Sequence, residues 1–162
     1  MKTLVRSVGR TDIGGEPLPA VFKAFESNKI IFRRAEVSML AGTPGVGKST
    51  LALALALKMK VPSLYISADT NAHTMAMRLA SMISGKNQTD VEILMNSDYG
   101  WTKATLSRGA HIVWSFESSP TLQDIDEEVQ AFEELWGCPP TAIFVDNLMD
   151  IATDGGEEFA SM

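Results

Sequence analysis

The chain is poor in the residues that build disulfides and transition-metal sites. It has one cysteine and two histidines in 162 residues. A lone Cys138 cannot close an internal disulfide, which fits a reducing cytosol, and a small buried or half-buried thiol is expected there. Two separated histidines, His73 and His111, with one cysteine form no zinc-ligand spacing, so no metal beyond Mg²⁺ is expected. His73 sits early in a helical pattern and reads as a surface residue; His111 opens a strand and reads as a packing or hydrogen-bonding residue. No run of eighteen apolar residues occurs, which argues against a transmembrane helix and against a membrane partner. The first nineteen residues hold no apolar core of signal-peptide length, so a cytoplasmic location is expected. Basic residues are also few: 14 Lys and Arg against 20 Asp and Glu give a net charge of −6. The cations are scattered while the acids crowd into "DIDEEVQAFEEL". That balance does not describe a dedicated duplex-DNA binder, which needs a basic face to meet phosphates.

What is present is the composition of an ordinary globular domain, 45% hydrophobic and 21% charged. Residues 1 to about 18 read as an irregular arm, because Gly14-Gly15 and two prolines discourage regular structure. "AVFKAFES" has apolar residues at helical spacing and predicts a short lead-in helix. Residues 1–29 are thus an arm and lead-in, and residues 30–162 the main domain. From Glu36 the pattern becomes βα. "VSMLA" predicts a buried parallel strand. "KSTLALALALKMK", rich in strong helix formers and without β-branching after its first turn, predicts a helix buried on most sides and stopped before Pro62. "SLYIS" is a second strand. In "NAHTMAMRLASMISG", Met75, Leu79, Met82 and Ile83 mark an amphipathic helix ended by Gly85. "TDVEILMNS" and "DYGWTKATLSRG" are shorter helices or turns, and "HIVWSF" is a third strand. "TLQDIDEEVQAFEELWG" begins at a Thr121 cap with Asp124 three residues on, and Ile125, Val129, Phe132 and Trp136 line its buried face. "AIFVD" is the fourth strand. Strands alternating with helices indicate an α/β fold with a mainly parallel sheet. Trp101, Trp114 and Trp136 read as core or core-edge residues, and the nine methionines as core filling.

"GTPGVGKS", Gly42 to Ser49, satisfies the P-loop pattern G-x-x-x-x-G-K-[ST] in full. The loop Gly42, Thr43, Pro44, Gly45, Val46 and Gly47 lets the backbone curl so that successive amides point inward at phosphate oxygens. Lys48, Ser49 and Thr50 then open the following helix, whose N-terminus favours the same anion. Lys48 suits the β- and γ-phosphates of ATP, and the Ser49 hydroxyl suits Mg²⁺. The pattern arises by chance roughly once in 30,000 windows, so a false match in a chain this short is rare. Its expected partner is an acid at the end of another strand. Asp146 closes "AIFVD" in that position, where a carboxylate holds Mg²⁺, usually through a water. Asp150 lies nearby and reads as a surface or capping residue. A third requirement is a carboxylate to position water for attack on the γ-phosphate. The residue after Asp146 is Asn147, which is no base. Asp69, at the tip of "SLYISADTN", is the candidate; the same residue could serve as a turn or cap with Thr70 and Asn71. Glu117 is a fallback.

Three segments resemble RecA-like ATPases, especially hexameric replicative helicases of the DnaB type and their phage relatives. "LYISADTNAHTMAMRLASMISG" is similar to that family's second strand, strand-tip acid and following helix. "AEVSMLAGTPGVGKSTLALALA" resembles its strand, P-loop and helix, with Ala35 replacing the usual Gly. "FVDNLMDI" is similar to its Walker B run. The resemblance covers residues 30–85 and 140–152, and it puts the family's catalytic Glu at Asp69, one methylene shorter. It implies an ATP- and Mg²⁺-dependent hydrolase or helicase of DNA replication or recombination. Further implications are single-stranded DNA as a partner, a homo-oligomer (hexamer) when complete, and the bacterial host cytoplasm if phage-encoded. It also implies a further strand between the P-loop and Walker B strands, yet the sequence stops sixteen residues after Asp146 at "EEFASM". A RecA-like core lacking its C-terminal strands is therefore expected. The alternatives are direct pairing of the two chemical strands, or a partner that fills the gap. A different functional class, an ATP-binding regulatory or assembly module with weak or no hydrolysis, fits the same motifs.

Overall fold

The computed structural model describes residues 15–152. The expectation for most of the N-terminal arm lies outside the described residues, as does "EEFASM". The chain divides into two compact units that part between Val46 and Gly47.

In the first unit, the lead-in helix forms as α1, Lys23–Ser27. Phe25 meets Phe22 and Phe32 edge-on, at 5.4 and 5.7 Å between ring centroids. An isolated antiparallel bridge joins Pro17 to Arg33, with Leu18 N donating to Phe32 O at 2.8 Å and Arg34 N to Glu16 O at 3.0 Å. The predicted strand "VSMLA" does not form. Residues 37–41 are irregular, with Val37 99% and Met39 72% exposed. An apolar run becomes a parallel strand only where neighbours complete its ladder and both faces are covered. Among the described residues the sheet has three strands, and no strand occupies the place next to the Walker B run that the resemblance implies.

The second unit is the α/β layer structure. Helix α2 (Lys48–Met59) leads to β1 (Ser63–Ser67), then α3 (Ala72–Ser84), α4 (Gln88–Ser97), α5 (Tyr99–Leu106), β2 (Ile112–Ser115), α6 (Leu122–Trp136) and β3 (Ala142–Asp146). The strands are all parallel in the order β2-β1-β3. β1 is central and buried at every residue, whereas β3 is an edge whose Ile143 is 45% exposed. The register aligns Tyr65 with Trp114 and Phe144, and Ser67 with Asp146. Because side chains alternate across a strand, one face of the sheet carries Tyr65 and the other Leu64 and Ile66. Leu53 and Ala56 of α2, Met75 and Leu79 of α3, and Ile112 pack with Tyr65 on the first face. Phe132 of α6 packs with Leu64 and Ile66 on the second, joined by the half-buried Ile125 and Val129.

The helix ends follow the sequence signals. Asn71 caps α3, accepting from Thr74 N, and Gly85 ends it at φ +72°. A full capping box starts α6: Asp124 N donates to Thr121 Oγ1, and Thr121 N donates to Asp124 Oδ2. Those bonds hold the half-buried Asp124 carboxyl below its ordinary range, the backbone bond first. Cys138 departs from expectation. It is exposed, because it follows the Gly137 turn into the loop before β3 and never enters the core. Leu53 is fully buried between α3 and the sheet. Replacing it with Ala should cost about 3 kcal/mol, by lost transfer energy and the cavity left, read as a lowered denaturation midpoint with unchanged slope.

Candidate nucleotide and metal site

The site grows from a geometrical property of parallel α/β layers. Strand C-termini and helix N-termini emerge at the same end of the sheet, so polar groups placed there converge. Asp146 ends β3, Ser67 ends β1 opposite it, and Ser49 lies in the first turn of α2. Ser49 Oγ donates to Asp146 Oδ1 at 3.0 Å, joining residues 97 apart in sequence. The structure therefore brings together the hydroxyl and the carboxylate that the sequence paired. A hydroxyl and a carboxylate are hard oxygen donors, the set that suits Mg²⁺ rather than a softer metal. Among the described residues no cluster of three His, Cys, Asp or Glu is arranged to hold a metal by itself. The donor set fits an ion shared with a bound phosphate, which keeps several of its own waters.

The other carboxylate oxygen has a partner that sequence reasoning missed. Tyr65 Oη donates to Asp146 Oδ2 at 3.0 Å, and both side chains are buried. A buried tyrosine hydroxyl needs an acceptor. The presence of Tyr65 inside an otherwise apolar strand was a signal that one existed, but its identity depended on strand order. Tyr65 is held in a row of rings across the sheet, 5.0 Å from Trp114 and 5.7 Å from a nearly parallel Phe144. Burial, then the adjacent Asp146 charge, pushes the phenol far above its ordinary range, while Arg78 opposes the shift. At neutral pH it is therefore a protonated donor.

The P-loop sequence spans the boundary between the two units, and each part has its own geometry. In the first unit Gly45 adopts φ +79°, and Val46 N donates to Thr43 O at 3.4 Å. In the second, Gly47 is the left-handed N-cap of α2 at φ +96°, a conformation that side chains rarely adopt. Gly47 has no side chain to cap α2, and a helix N-terminus favours an anion. Lys48 is the first residue of that helix, and Thr50 follows Ser49 within the same turn.

Asp69 lies two residues beyond Ser67, at the sheet end shared with Asp146, and Ala68 N donates to Asp146 O at 2.8 Å. It is exposed and accepts from the Thr70 hydroxyl at 2.8 Å, while Ser67 Oγ donates to Thr70 O. The cap of the following helix is Asn71 rather than Asp69. Glu117 is elsewhere. It follows β2, two strand spacings, roughly 10 Å, from β3, and lines a cleft with Ser115, Asp124 and Glu128. Asp150 lies in a 3₁₀ turn started by Asn147, whose side chain accepts from Met149 N. Contrary to a surface role, its Oδ2 is buried without a hydrogen-bond partner among the described residues. His73 is exposed as expected, and His111 Nε2 bonds the carbonyl of Ala56 at 3.0 Å.

Comparison with known proteins places this geometry. The AAA domain family matches residues 28–161. The chain belongs to this family. The AAA domain is of the P-loop ATPase type, in keeping with a parallel sheet whose strand-end acid meets the residue after the loop lysine. Among curated proteins, the chain is similar to the Gene 65 protein of Mycobacterium phage L5, 33% identical over 144 residues. That match covers 88% of this chain and 54% of the relative. It is also similar to the Gene 65 protein of Mycobacterium phage D29, 32% identical over 120 residues, covering 74% and 52%. The chain thus spans about half the length of the curated relatives it matches. No described helix of this AAA domain is long and apolar enough to cross a membrane.

The raised phenol has a measurable consequence. The unfolded chain begins to release the Tyr65 proton near pH 10, the ordinary value, while the folded chain retains it. The unfolded state then binds fewer protons, so stability should fall as pH rises above about 10. Thermal melts from pH 8 to 11 should show this decline, with a shallower one in Tyr65→Phe.

Proposed function

We propose that the chain carries the ATP-binding and hydrolysing centre of a DnaB/RecA-like DNA helicase of phage replication or recombination. Residues 30–162 form its ATPase domain. The observation that carries this reading is the 3.0 Å bond between Ser49 and Asp146, which sets the two expected metal ligands side by side at the start of α2. In this reading Gly42 to Thr50 wrap the phosphates of ATP, Lys48 neutralises the β- and γ-phosphates, and Ser49 with Asp146 hold Mg²⁺. The metal supplies positive charge to the phosphate oxygens. Asp69, at the same sheet end, positions the attacking water. Single-stranded DNA and further copies of the chain, as a hexameric ring in the host cytoplasm, are the partners this reading supplies. The resemblance of "SLYISADTN" and "FVDNLMDI" to DnaB-type segments supports the helicase choice within the AAA family.

A second reading has its own observation. Asp69 is shorter than the glutamate it stands for and already accepts from Thr70. A carboxylate so occupied favours an ATP-binding regulatory or assembly module that turns over slowly.

ATP turnover measured with and without single-stranded DNA, on a chain of the relatives' length, separates the two. At least tenfold stimulation is expected for a helicase; a rate unmoved by DNA selects the module. Lys48→Ala should weaken ATP binding by two or more orders of magnitude by calorimetry, and an unchanged affinity would remove the P-loop from the mechanism. Asp69→Asn should leave ATP affinity within about twofold and lower kcat by roughly a hundredfold or more. Retained turnover would assign water positioning to another group.

A further inference from the structure

Asp146 is a buried carboxylate with two differently used oxygens. Oδ1 accepts from Ser49, whose hydroxyl oxygen keeps its lone pairs for a cation while its proton is donated. Oδ2 accepts from Tyr65, which has no such second duty. The tyrosine ring is fully buried, flanked by Trp114 and Phe144 from the two neighbouring strands. Its hydroxyl is therefore set by the sheet itself. Rotation of the carboxylate about its Cβ–Cγ bond would break the Tyr65 bond and leave a buried donor unpaired.

We propose that Tyr65 is a positioning residue for metal binding, its hydroxyl locking Oδ2 of Asp146 so that Oδ1 alone faces Ser49 and the cation of bound ATP. The lock holds the carboxylate in a one-oxygen orientation, which suits Mg²⁺: the ion demands near-octahedral geometry and retains its waters. A free carboxylate would sample two-oxygen geometries that suit larger, less exacting cations. Tyr65 acts through Asp146 and touches neither nucleotide nor metal. The inference rests on the reading of Ser49 and Asp146 as the metal pair, and its test keeps the two apart.

Binding of a fluorescent ATP analogue is titrated against Mg²⁺ for the full chain and for Tyr65→Phe, which keeps the ring and its stacking. The Mg²⁺ concentration at half-saturation should rise about three- to tenfold in the variant, the scale of one lost hydrogen bond. Affinity without Mg²⁺ should be unchanged. In an Asp146→Asn background the same substitution should add no further shift. A merely structural tyrosine would lower the melting temperature and leave the Mg²⁺ midpoint in place. Midpoints within twofold, with Mg²⁺-dependent binding intact, overturn the lock and leave the nucleotide reading standing. A wild-type chain whose nucleotide binding ignores Mg²⁺ overturns both. Fluorotyrosine labelling needs no variant at Tyr65 and reports on two residues only, Tyr65 and the exposed Tyr99. In nucleotide-free protein, Asp146→Asn should move the buried ¹⁹F resonance and spare the other; an unmoved buried signal refutes the coupling.

Discussion

The polar end of the second unit is organised around one constraint: a carboxylate buried at the tip of β3 must have donors. Leaving Asp146 unpaired in that position would cost several kcal/mol. Its donors come from two different elements, Ser49 on α2 and Tyr65 on β1. Satisfying the acid therefore fixes the pairing of β1 with β3 and brings the start of α2 over the sheet end. The aromatic row Trp114, Tyr65, Phe144 extends the same constraint to β2, because one ring of the row carries the hydroxyl.

Two aspartates at the same sheet end are given different environments. Asp146 is enclosed and bonded at both oxygens. Asp69 is exposed and bonded within its own turn. The enclosed acid is suited to a fixed ligand role, where rigidity sets geometry. The exposed one can rearrange as a phosphate approaches, as a water-positioning group must. This division of labour belongs to the proposed nucleotide site.

Most helices were legible in the sequence because their signals are local. Thr121 with Asp124 wrote the start of α6, Asn71 and Gly85 bracketed α3, and Met75 and Leu79 marked its buried side. The strands "SLYIS", "HIVWSF" and "AIFVD" were legible as short apolar runs. "VSMLA" looked like them and is not a strand, because a strand exists only with neighbours, and hydropathy does not count neighbours. The pairing of Ser49 with Asp146 was readable from motif chemistry. Tyr65 was not, since its role depends on which strand lies beside β1. Cys138 and Asp150 were misjudged for the same reason, their exposure being set by loops whose path no periodicity records.

The sequence by itself determined the α/β class, the P-loop sequence pattern at Gly42 to Ser49 and the acid at the end of "AIFVD". Each is written in contiguous residues, through backbone freedom at glycine, local capping and apolar periodicity. Only the tertiary structure decided the strand order β2-β1-β3, the edge position of β3 and the second hold on Asp146. Those features arise from register between segments about eighty residues apart, where burial of polar groups selects the one pairing that satisfies them.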